Sequence, residues 1–143
     1  PANLFVAQFV GSPVMNIVDI TMTGEGAGLG AAMAGEIFAM PAELGGMLQQ
    51  RAKGDLTLGV RPEGVLLSHE DKPGYRPLRT HLIQPYGGFD IVDLKLGEQT
   101  LRSRTPSGYL RQPGQPVWAR IDPSQTHFFD RKSGTSLGIR LSE

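Results

Sequence analysis

The stretch IVDITMTGEGAGLGAAMAG, residues 17–35, decides between two fold classes. Its residues 26–31 fit the pattern G-x-G-x-x-G/A, which in dinucleotide-binding folds joins a buried parallel strand to a long helix. Apolar and polar residues alternate over residues 17–23, with Val18, Ile20 and Met22 on one face, which predicts a half-buried strand. A half-polar strand does not meet the requirement for a buried parallel strand.

The residues after the glycine stretch also argue against a dinucleotide fold. Gly35 and Pro41 interrupt the segment, so a helix of about three turns cannot form there. Glu43 lies near the distance at which dinucleotide folds carry an acidic residue, but no strand–helix–strand unit surrounds it. The phosphate-loop pattern G-x-x-x-x-G-K-[ST] is absent. The stretch therefore predicts a mobile hairpin connection and no nucleotide site.

Short segments of strand character at regular spacing occupy most of the remaining chain. They lie at residues 36–40, 56–62, 78–87, 89–97, 99–105, 115–123 and 126–141. Helical signals are few: a short apolar helix after Asn3, one helical turn within residues 41–55, and another within residues 63–68. The 19 glycines and 11 prolines fit the turns that such strands need. This arrangement is typical of a small all-β barrel or sandwich.

Length and charge exclude several classes of function. The 143 residues are the size of one domain. Lys and Arg total 14, as do Asp and Glu, and this balance argues against a general nucleic-acid binder, which needs a basic surface. The chain has no cysteine, which excludes disulfides and thiolate sites. No apolar run approaches the roughly 20 residues of a membrane-spanning helix.

The polar residues show no catalytic arrangement. The three histidines, His69, His81 and His127, lack the spacing of metal ligands. Asp90 and Asp93 fall on opposite faces of one predicted strand, so they cannot act as a pair. No G-x-S-x-G elbow is present. The sequence therefore predicts no active site, no cofactor and no metal in this chain.

Aromatic residues leave one binding alternative open. Tyr86, Phe89, Trp118, Phe128 and Phe129 are candidates for stacking on bases of a single strand, with arginines nearby. Core packing explains the phenylalanines better, and the neutral net charge favours that interpretation. Trp118 alternates with buried positions on its strand, so it is interpreted as an interface anchor.

Four stretches, taken together and in this order, resemble one protein family. They are PANLFVAQFVGSPVMN (residues 1–16), LTLGVRPEGV (56–65), IQPYGGFDIVDLKLG (83–97) and THFFDRKSGTSL (126–137). The second resembles the signature L-G-[IV]-R-P-E, and the last resembles the closing pattern H-[LF]-F-D-x-x-[TS]-G, of ATP-binding subunits of sugar ABC importers. The similarity is to the C-terminal regulatory, transport-associated domain of the maltose and glycerol-phosphate type, and it covers nearly the whole chain.

The resemblance implies a fold and a domain organisation. The fold would be all-β, an OB-type small barrel with additional strands and a short N-terminal helix. Residues 1–16 would be a linker helix and connecting loop that follow an absent ATPase domain, and residues 17–143 the regulatory barrel. The Pro1 start fits a domain excised from a longer polypeptide.

The resemblance also implies a function. The chain would be a regulatory and dimerisation domain, without enzymatic activity, of the ATP-hydrolysing subunit of a carbohydrate importer. ATP and Mg²⁺ would bind in the missing domain. Expected partners are that ATPase domain, a second copy of the subunit, the membrane permease subunits and a regulatory protein of the phosphotransferase system, with no nucleic acid. The expected location is cytoplasmic, at the inner face of the cell membrane.

Candidate contact residues follow where this sequence matches the family motifs. Those for interdomain or dimer contacts are Gly11, Ser12, Pro13, Met15 and Asn16 in the connecting loop, Arg61 and Glu63 in the signature turn, and Phe129 and Asp130 in the closing hairpin, with Trp118 added from its place on a strand. Asp130 is also expected to cap its turn, and Gly134 to supply a positive φ. The alternative is a free-standing OB-type domain that binds a small ligand or oxyanion, or single-stranded nucleic acid.

Overall fold

The computed structural model describes residues 15–51, 56–134 and 136–139. Within these ranges the chain forms ten strands and one α-helix. The strands are β1 (Asn16–Thr23), β2 (Gly30–Met33), β3 (Glu36–Ala39), β4 (Leu56–Val60), β5 (Val65–Ser68), β6 (Arg76–Pro85), β7 (Phe89–Leu96), β8 (Gln99–Pro106), β9 (Pro116–Ile121) and β10 (Thr126–Asp130). Helix α1 (Glu43–Arg51) lies between β3 and β4. The predicted N-terminal helix and Gly11, Ser12 and Pro13 lie outside the described residues.

The strands form two antiparallel five-stranded sheets. The first has the order β10-β4-β1-β2-β3, and the second has the order β5-β9-β6-β7-β8. The core lies between them, and Leu58 of the first sheet and Leu94 of the second are both fully buried. Each side chain of this size contributes about 1.5–3 kcal/mol when buried. The expected all-β class is therefore confirmed.

The second sheet curls until its two edge strands approach each other. Strand β5 is one edge and β8 is the other. The Ser103 hydroxyl of β8 donates a hydrogen bond to the Val65 carbonyl of β5 at 2.5 Å. This contact brings the edges of an open sheet together, which gives the half-barrel of an OB-type fold.

The two strands expected within residues 89–105 are confirmed, and they pair directly with each other. Strands β7 and β8 pair in continuous register from Phe89↔Pro106 to Leu96↔Gln99. Strand β8 is an edge strand, as its polar composition predicts. In β9, Val117, Ala119 and Ile121 are buried and Trp118 is half-buried, which matches the predicted alternation.

The glycine stretch is more structured than a hairpin connection. It forms a 3₁₀ turn at Gly26–Gly28 and then strand β2. Strand β2 lies between β1 and β3, so residues 36–39 pair with β2 and not directly with β1. Gly30 suits this position because a Cβ there would lie 2.6 Å from the Ile37 Cγ2 across the strand pair. A high glycine content is typical of a loop. At position 30, however, glycine is required because the Ile37 side chain of the paired strand occupies the space of a Cβ.

Two further expectations are wrong for reasons of tertiary packing. Helix α1 has nine residues where one turn was expected. Leu44 and Leu48 are one helical turn apart and both are buried in the core, which outweighs the low helix propensity of Gly45 and Gly46.

Among the described residues, no helix has the length and apolar character to cross a bilayer.

The other correction concerns residues 63–68, which were expected to form a helical turn. Only Pro62–Gly64 is helical, as a 3₁₀ turn, and residues Val65–Ser68 form β5. Strand β5 pairs with β9 over its full length, from Val65↔Ile121 to Ser68↔Trp118. Pairing with β9 decides the conformation of these few residues because a four-residue segment has little preference of its own.

Candidate interdomain and subunit contact site

The residues RPEG carry the chain from the first sheet to the second. Arg61 is extended, and Pro62 opens the 3₁₀ turn, where its lack of an N–H leaves no hydrogen bond unmade. The Gly64 N–H donates to the Arg61 carbonyl at 2.8 Å. Pro62 and Gly64 are buried, Arg61 is half-buried and Glu63 is exposed. The turn is thus anchored by its apolar residues and leaves its acidic residue at the surface.

A second 3₁₀ turn, Pro123–Gln125, carries the chain back from β9 to β10 and packs on the first turn. The Asp122 N–H donates to the Gly64 carbonyl at 2.9 Å. A Cβ at Gly64 would lie 2.5 Å from the Gln125 Cβ and 2.8 Å from the Val60 Cγ2. Glycine at position 64 is therefore needed for the two turns to touch.

Gly59 belongs to the signature motif and lies next to residues of two other motifs that carry the resemblance, the connecting loop and the closing strand. A Cβ at Gly59 would lie 2.6 Å from the Met15 Sδ, 3.2 Å from the Phe129 Cε2 and 3.5 Å from the Ile17 Cδ1. Met15 and Phe129 are buried and form a small apolar cluster with Ile17, separate from the main core. The signature glycine therefore leaves the space that the connecting loop and the closing strand fill.

Asn16 connects the two sheets with its side chain. Its Nδ2 donates to the Val60 carbonyl at 3.0 Å and to the Arg102 carbonyl at 2.9 Å. Its Oδ1 accepts from the Arg102 N–H at 2.7 Å. Val60 belongs to the first sheet and Arg102 to the edge strand of the second. Asn16 is buried, so its polar groups meet their hydrogen-bonding needs within the chain.

Asp130 caps the closing turn, as the sequence predicts. Its Oδ1 accepts from the Ser133 N–H at 3.0 Å and from the Lys132 N–H at 2.9 Å. Hydrogen bonds from the Ser133 and Lys132 backbones lower the pKa of the Asp130 carboxyl. Gly134 has a φ of 72°, and its N–H donates to the Asp130 carbonyl at 2.7 Å.

Arg131 has a structural role that the sequence did not reveal. Its Nη2 donates to the Ile20 carbonyl at 2.8 Å and to the Leu56 carbonyl at 3.2 Å. Its Nε lies 3.6 Å from the Asp19 Oδ1. The guanidinium thus bridges β1 and β4 at their last residue pair, Ile20 and Leu56. No signal in the sequence could identify these partners, because they are backbone groups that strand pairing brings together.

The remaining candidates keep side-chain groups available for other contacts. For Arg61 and Glu63, the described residues supply no hydrogen bond or ion pair to the charged groups. Trp118 is half-buried on the outer face of the second sheet, between its cross-strand neighbours Ser68 and Pro77. Met15, Asn16 and Phe129 face inward instead. The structure therefore brings Met15, Asn16 and Phe129 together next to the strand that leads into the signature turn, and it places Trp118 on a different strand, β9.

The five aromatic residues considered for base stacking divide into buried residues and partly or fully exposed ones. Phe128 and Phe129 are fully buried, so their rings cannot stack on a nucleic-acid base. Tyr86 stacks on Phe89 with ring centroids 5.3 Å apart, and the Arg104 guanidinium lies 3.9 Å from the centre of the Phe89 ring. Tyr86 and Phe89 therefore form a mixed aromatic and cationic surface with Arg104, and Trp118 remains partly exposed on β9.

Two buried acidic side chains and one histidine make contacts that serve local structure. Buried Asp90 accepts from the Gly108 N–H at 2.9 Å, and buried Asp93 lies 3.4 Å from the Arg102 Nε. His69 stacks on Tyr109 at 4.2 Å, and burial, followed by neighbouring Tyr75, raises the pKa of the Tyr109 phenol. In the part of the chain that the structure describes, no three acidic or histidine residues are grouped to hold a metal ion.

The class of protein follows from the fold. The chain is an all-β domain of OB type. Among solved structures it is similar to the cytoplasmic molybdate-binding protein ModG, with a TM-score of 0.55 and 20% identity over 79% of this chain and 94% of the ModG chain. At this identity the similarity shows the fold.

Sequence comparison then gives the relatives. The chain is 34% identical over 134 residues to the sn-glycerol-3-phosphate import ATP-binding protein UgpC of Escherichia coli O157:H7, and 30% identical over 138 residues to that of Salmonella typhi. Each match covers 94% of this chain and 36% of the relative. No family profile matches the chain. The resemblance is confirmed: the chain is homologous to the C-terminal part of ATP-binding proteins of sugar ABC importers.

Proposed function

We propose that this chain is the regulatory and dimerisation domain of the ATP-hydrolysing subunit of an ABC-type carbohydrate importer. The observation that carries the proposal is its homology to UgpC proteins over 94% of its length. The contacts among Met15, Gly59 and Phe129 support it, because they join the matching motifs into one packed unit. A domain assembled in this way presents a fixed surface to its partners.

The signature turn is the proposed contact surface. Arg61 and Glu63 carry opposite charges on a turn whose backbone is anchored by buried Pro62 and Gly64. Such a pair can make directed polar contacts with another domain at little cost in conformational entropy, because the turn is already ordered. Trp118 is the proposed apolar anchor, since tryptophan is enriched among residues that dominate binding energy. Asp130 supports this surface from within by ordering the closing turn.

The missing parts of the transporter follow from this proposal. ATP and Mg²⁺ bind in an ATPase domain outside these 143 residues. The partners are that domain, a second copy of the subunit and the membrane permease subunits, and the location is the cytoplasmic face of the membrane. A regulatory protein of the phosphotransferase system is a further proposed partner.

A chimera tests the transport role. In it, this chain replaces the homologous C-terminal region of UgpC from Escherichia coli O157:H7. Uptake of labelled sn-glycerol 3-phosphate should exceed that of UgpC truncated before the region. A matched variant of the chimera carries Arg61→Ala and Glu63→Ala. These substitutions leave the buried residues Met15, Asn16 and Phe129 unchanged and should lower uptake. A stable, abundant chimera with uptake no higher than truncated UgpC contradicts the proposal.

Sedimentation equilibrium tests the dimerisation role. The isolated chain should show a concentration-dependent monomer–dimer equilibrium, which is weak because the ATPase domains are absent. Trp118→Ser should shift this equilibrium towards monomer. Leu82→Ser is the control, because Leu82 is also on the second sheet and is 45% exposed, yet it lies outside the proposed surface. A chain that remains monomeric at millimolar concentration contradicts dimerisation by this domain alone.

A further inference from the structure

A cleft of 360 Å³ opens between the tip of the β2–β3 hairpin and the outer face of the second sheet. Ala34 and Glu36 line it from the first sheet, and Pro77, Arg79, Lys95 and Pro116 line it from the second. Its volume is in the lower range of small-molecule sites, about 300–1,000 Å³. None of these residues is a candidate contact residue, although Pro77 is the direct cross-strand partner of Trp118, so the cleft borders the proposed apolar anchor.

Two positive charges face each other in this cleft. Arg79 of β6 and Lys95 of β7 are direct cross-strand partners, and both are exposed. Like charges in directly opposite positions destabilise a sheet. Among the described residues, the Arg79 guanidinium contacts the Gly114 carbonyl at 3.4 Å, and neither cation has a carboxylate partner. The pair is therefore an uncompensated positive charge at a concave surface.

The same sheet compensates its charges elsewhere. One position further along the same face of β7, Asp93 is the direct partner of Arg102 on β8, and their side chains lie 3.4 Å apart. The carboxylate that lines the cleft, Glu36, is engaged by Arg76 at 3.3 Å. Pairing of Glu36 with Arg76 leaves the charges of Arg79 and Lys95 for a ligand.

Part of the cleft wall is apolar and has a restricted backbone. Pro77 and Pro116 have restricted backbones, and Ala34 is held at a φ of 51° in the β2–β3 turn. The tip of the β7–β8 hairpin supports Ala34, since a Cβ at Gly97 would lie 2.9 Å from the Ala34 Cβ. An alanine in this left-handed conformation is uncommon, and here packing against the other hairpin fixes it. The cleft is thus formed before any ligand arrives.

We propose that this cleft binds a small organic anion. A phosphate or similar dianionic group would lie between Arg79 and Lys95, because two neighbouring cations favour a doubly charged group. An apolar or ring-shaped body would lie against Pro77 and Pro116. The site gives the domain a means to sense a metabolite, and it does not depend on whether the chain serves a transporter.

Calorimetric titration of the 143-residue chain with phenyl phosphate tests the site. Phenyl phosphate should bind more tightly than inorganic phosphate or phenol, which each supply half of the ligand. Lys95→Gln and Arg79→Gln should each weaken binding about tenfold or more, the usual effect of losing a charged hydrogen bond. The control is Lys72→Gln, which removes an exposed lysine from the β5–β6 loop and should leave the affinity unchanged.

Thermal unfolding of the ligand-free variants provides a second measurement. Lys95→Gln should melt at or above the wild-type temperature, because it removes the repulsion from Arg79. Lys95 is exposed, so this variant remains informative if Arg79→Gln does not fold. The site is overturned if phenyl phosphate does not bind at millimolar concentration, or if Lys72→Gln weakens binding as much as Lys95→Gln. Equal affinity for phenyl phosphate and inorganic phosphate overturns the organic part of the ligand class.

Discussion

Two hydrogen bonds join the Asn16 side chain in the first sheet to the Arg102 backbone in the second. The Asn16 amide accepts from the Arg102 N–H at 2.7 Å and donates to the Arg102 carbonyl at 2.9 Å. The amide thus pairs with backbone groups of an edge strand as a neighbouring strand would. One side chain at the start of β1, in the first sheet, therefore continues the hydrogen-bond ladder of the second sheet beyond its edge strand.

Replacement of Asn16 should destabilise the domain. Asn16→Ala removes the partners of the Arg102 N–H and carbonyl, and an unsatisfied buried group costs about 1–3 kcal/mol. We expect the free energy of unfolding in urea to fall by about 2–4 kcal/mol. Gln99→Ala, at an exposed position on the same strand as Arg102, should change it by less than about 0.5 kcal/mol. A similar small change for Asn16→Ala would show that water replaces the amide.

Gly59 should not tolerate a side chain while Met15 occupies its present position. Gly59→Ala brings a Cβ within 2.6 Å of the Met15 Sδ and 3.2 Å of Phe129. Overpacking of this kind costs about 1–3 kcal/mol. Met15→Ala should recover part of this loss in the double variant, because it removes the closest atom. Strictly additive losses in urea unfolding would show that Met15 is not the obstacle.

Gly88→Ala provides the comparison for Gly59. A Cβ at Gly88 would meet no atom within 4 Å. This substitution should be neutral or stabilise the chain by up to about 1 kcal/mol, because alanine has less conformational freedom in the unfolded state. A marked loss at Gly88 would mean that glycine-to-alanine changes destabilise this fold for reasons other than packing.

The stabilising effect of Asp130 should depend on pH. The pKa of Asp130 is lower in the folded chain than in the unfolded chain, where it is about 3.9. Its carboxylate therefore stabilises the fold above that pH, and this contribution is lost as the pH falls through the folded pKa. Asp130→Asn should lower the melting temperature at neutral pH, and the difference from wild type should shrink as the pH falls below the unfolded pKa and through the folded one.

Glu98→Gln is the control for that pH series. Glu98 is an exposed carboxylate in the β7–β8 turn. Its variant should follow the wild-type melting temperature across the series. A difference between wild type and Asp130→Asn that stays constant down to the lowest pH would show that the charge of Asp130 does not contribute.

The chain should not bind Mg²⁺–ATP. Its glycine stretch forms a 3₁₀ turn followed by strand β2, and not a loop that opens a helix at a phosphate. Calorimetric titration should give no binding heat at micromolar concentrations, whereas intact UgpC is the positive control. Micromolar affinity would contradict the assignment of nucleotide binding to another domain.

The sequence predicts the regular parts of this fold well because their signals are local. Strands β7, β8 and β9 each have clear alternation, and a turn that requires glycine or proline bounds them. Strand β2 is missed because glycine and alanine carry no alternating pattern. Helix α1 is underestimated because Leu44 and Leu48 acquire their importance only from the core above them.

The contact site is predictable only in its turns. The cap by Asp130 and the positive φ of Gly134 follow from the residue types alone. The resemblance identifies Asn16, but its hydrogen bonds to Arg102 depend on a separation of 86 residues along the chain. The opposition of Arg79 and Lys95 likewise depends on the register of β6 and β7, which a bulge between Thr80 and Leu82 shifts.

The two 3₁₀ turns have a mechanical consequence. Each joins a strand of one sheet to a strand of the other, and the Gly64 carbonyl accepts from the Asp122 N–H between them. A force applied at the signature turn is therefore shared at once by both sheets and by both chain crossings. The domain would therefore move as one rigid body, and a displacement of one face would be transmitted to the opposite face.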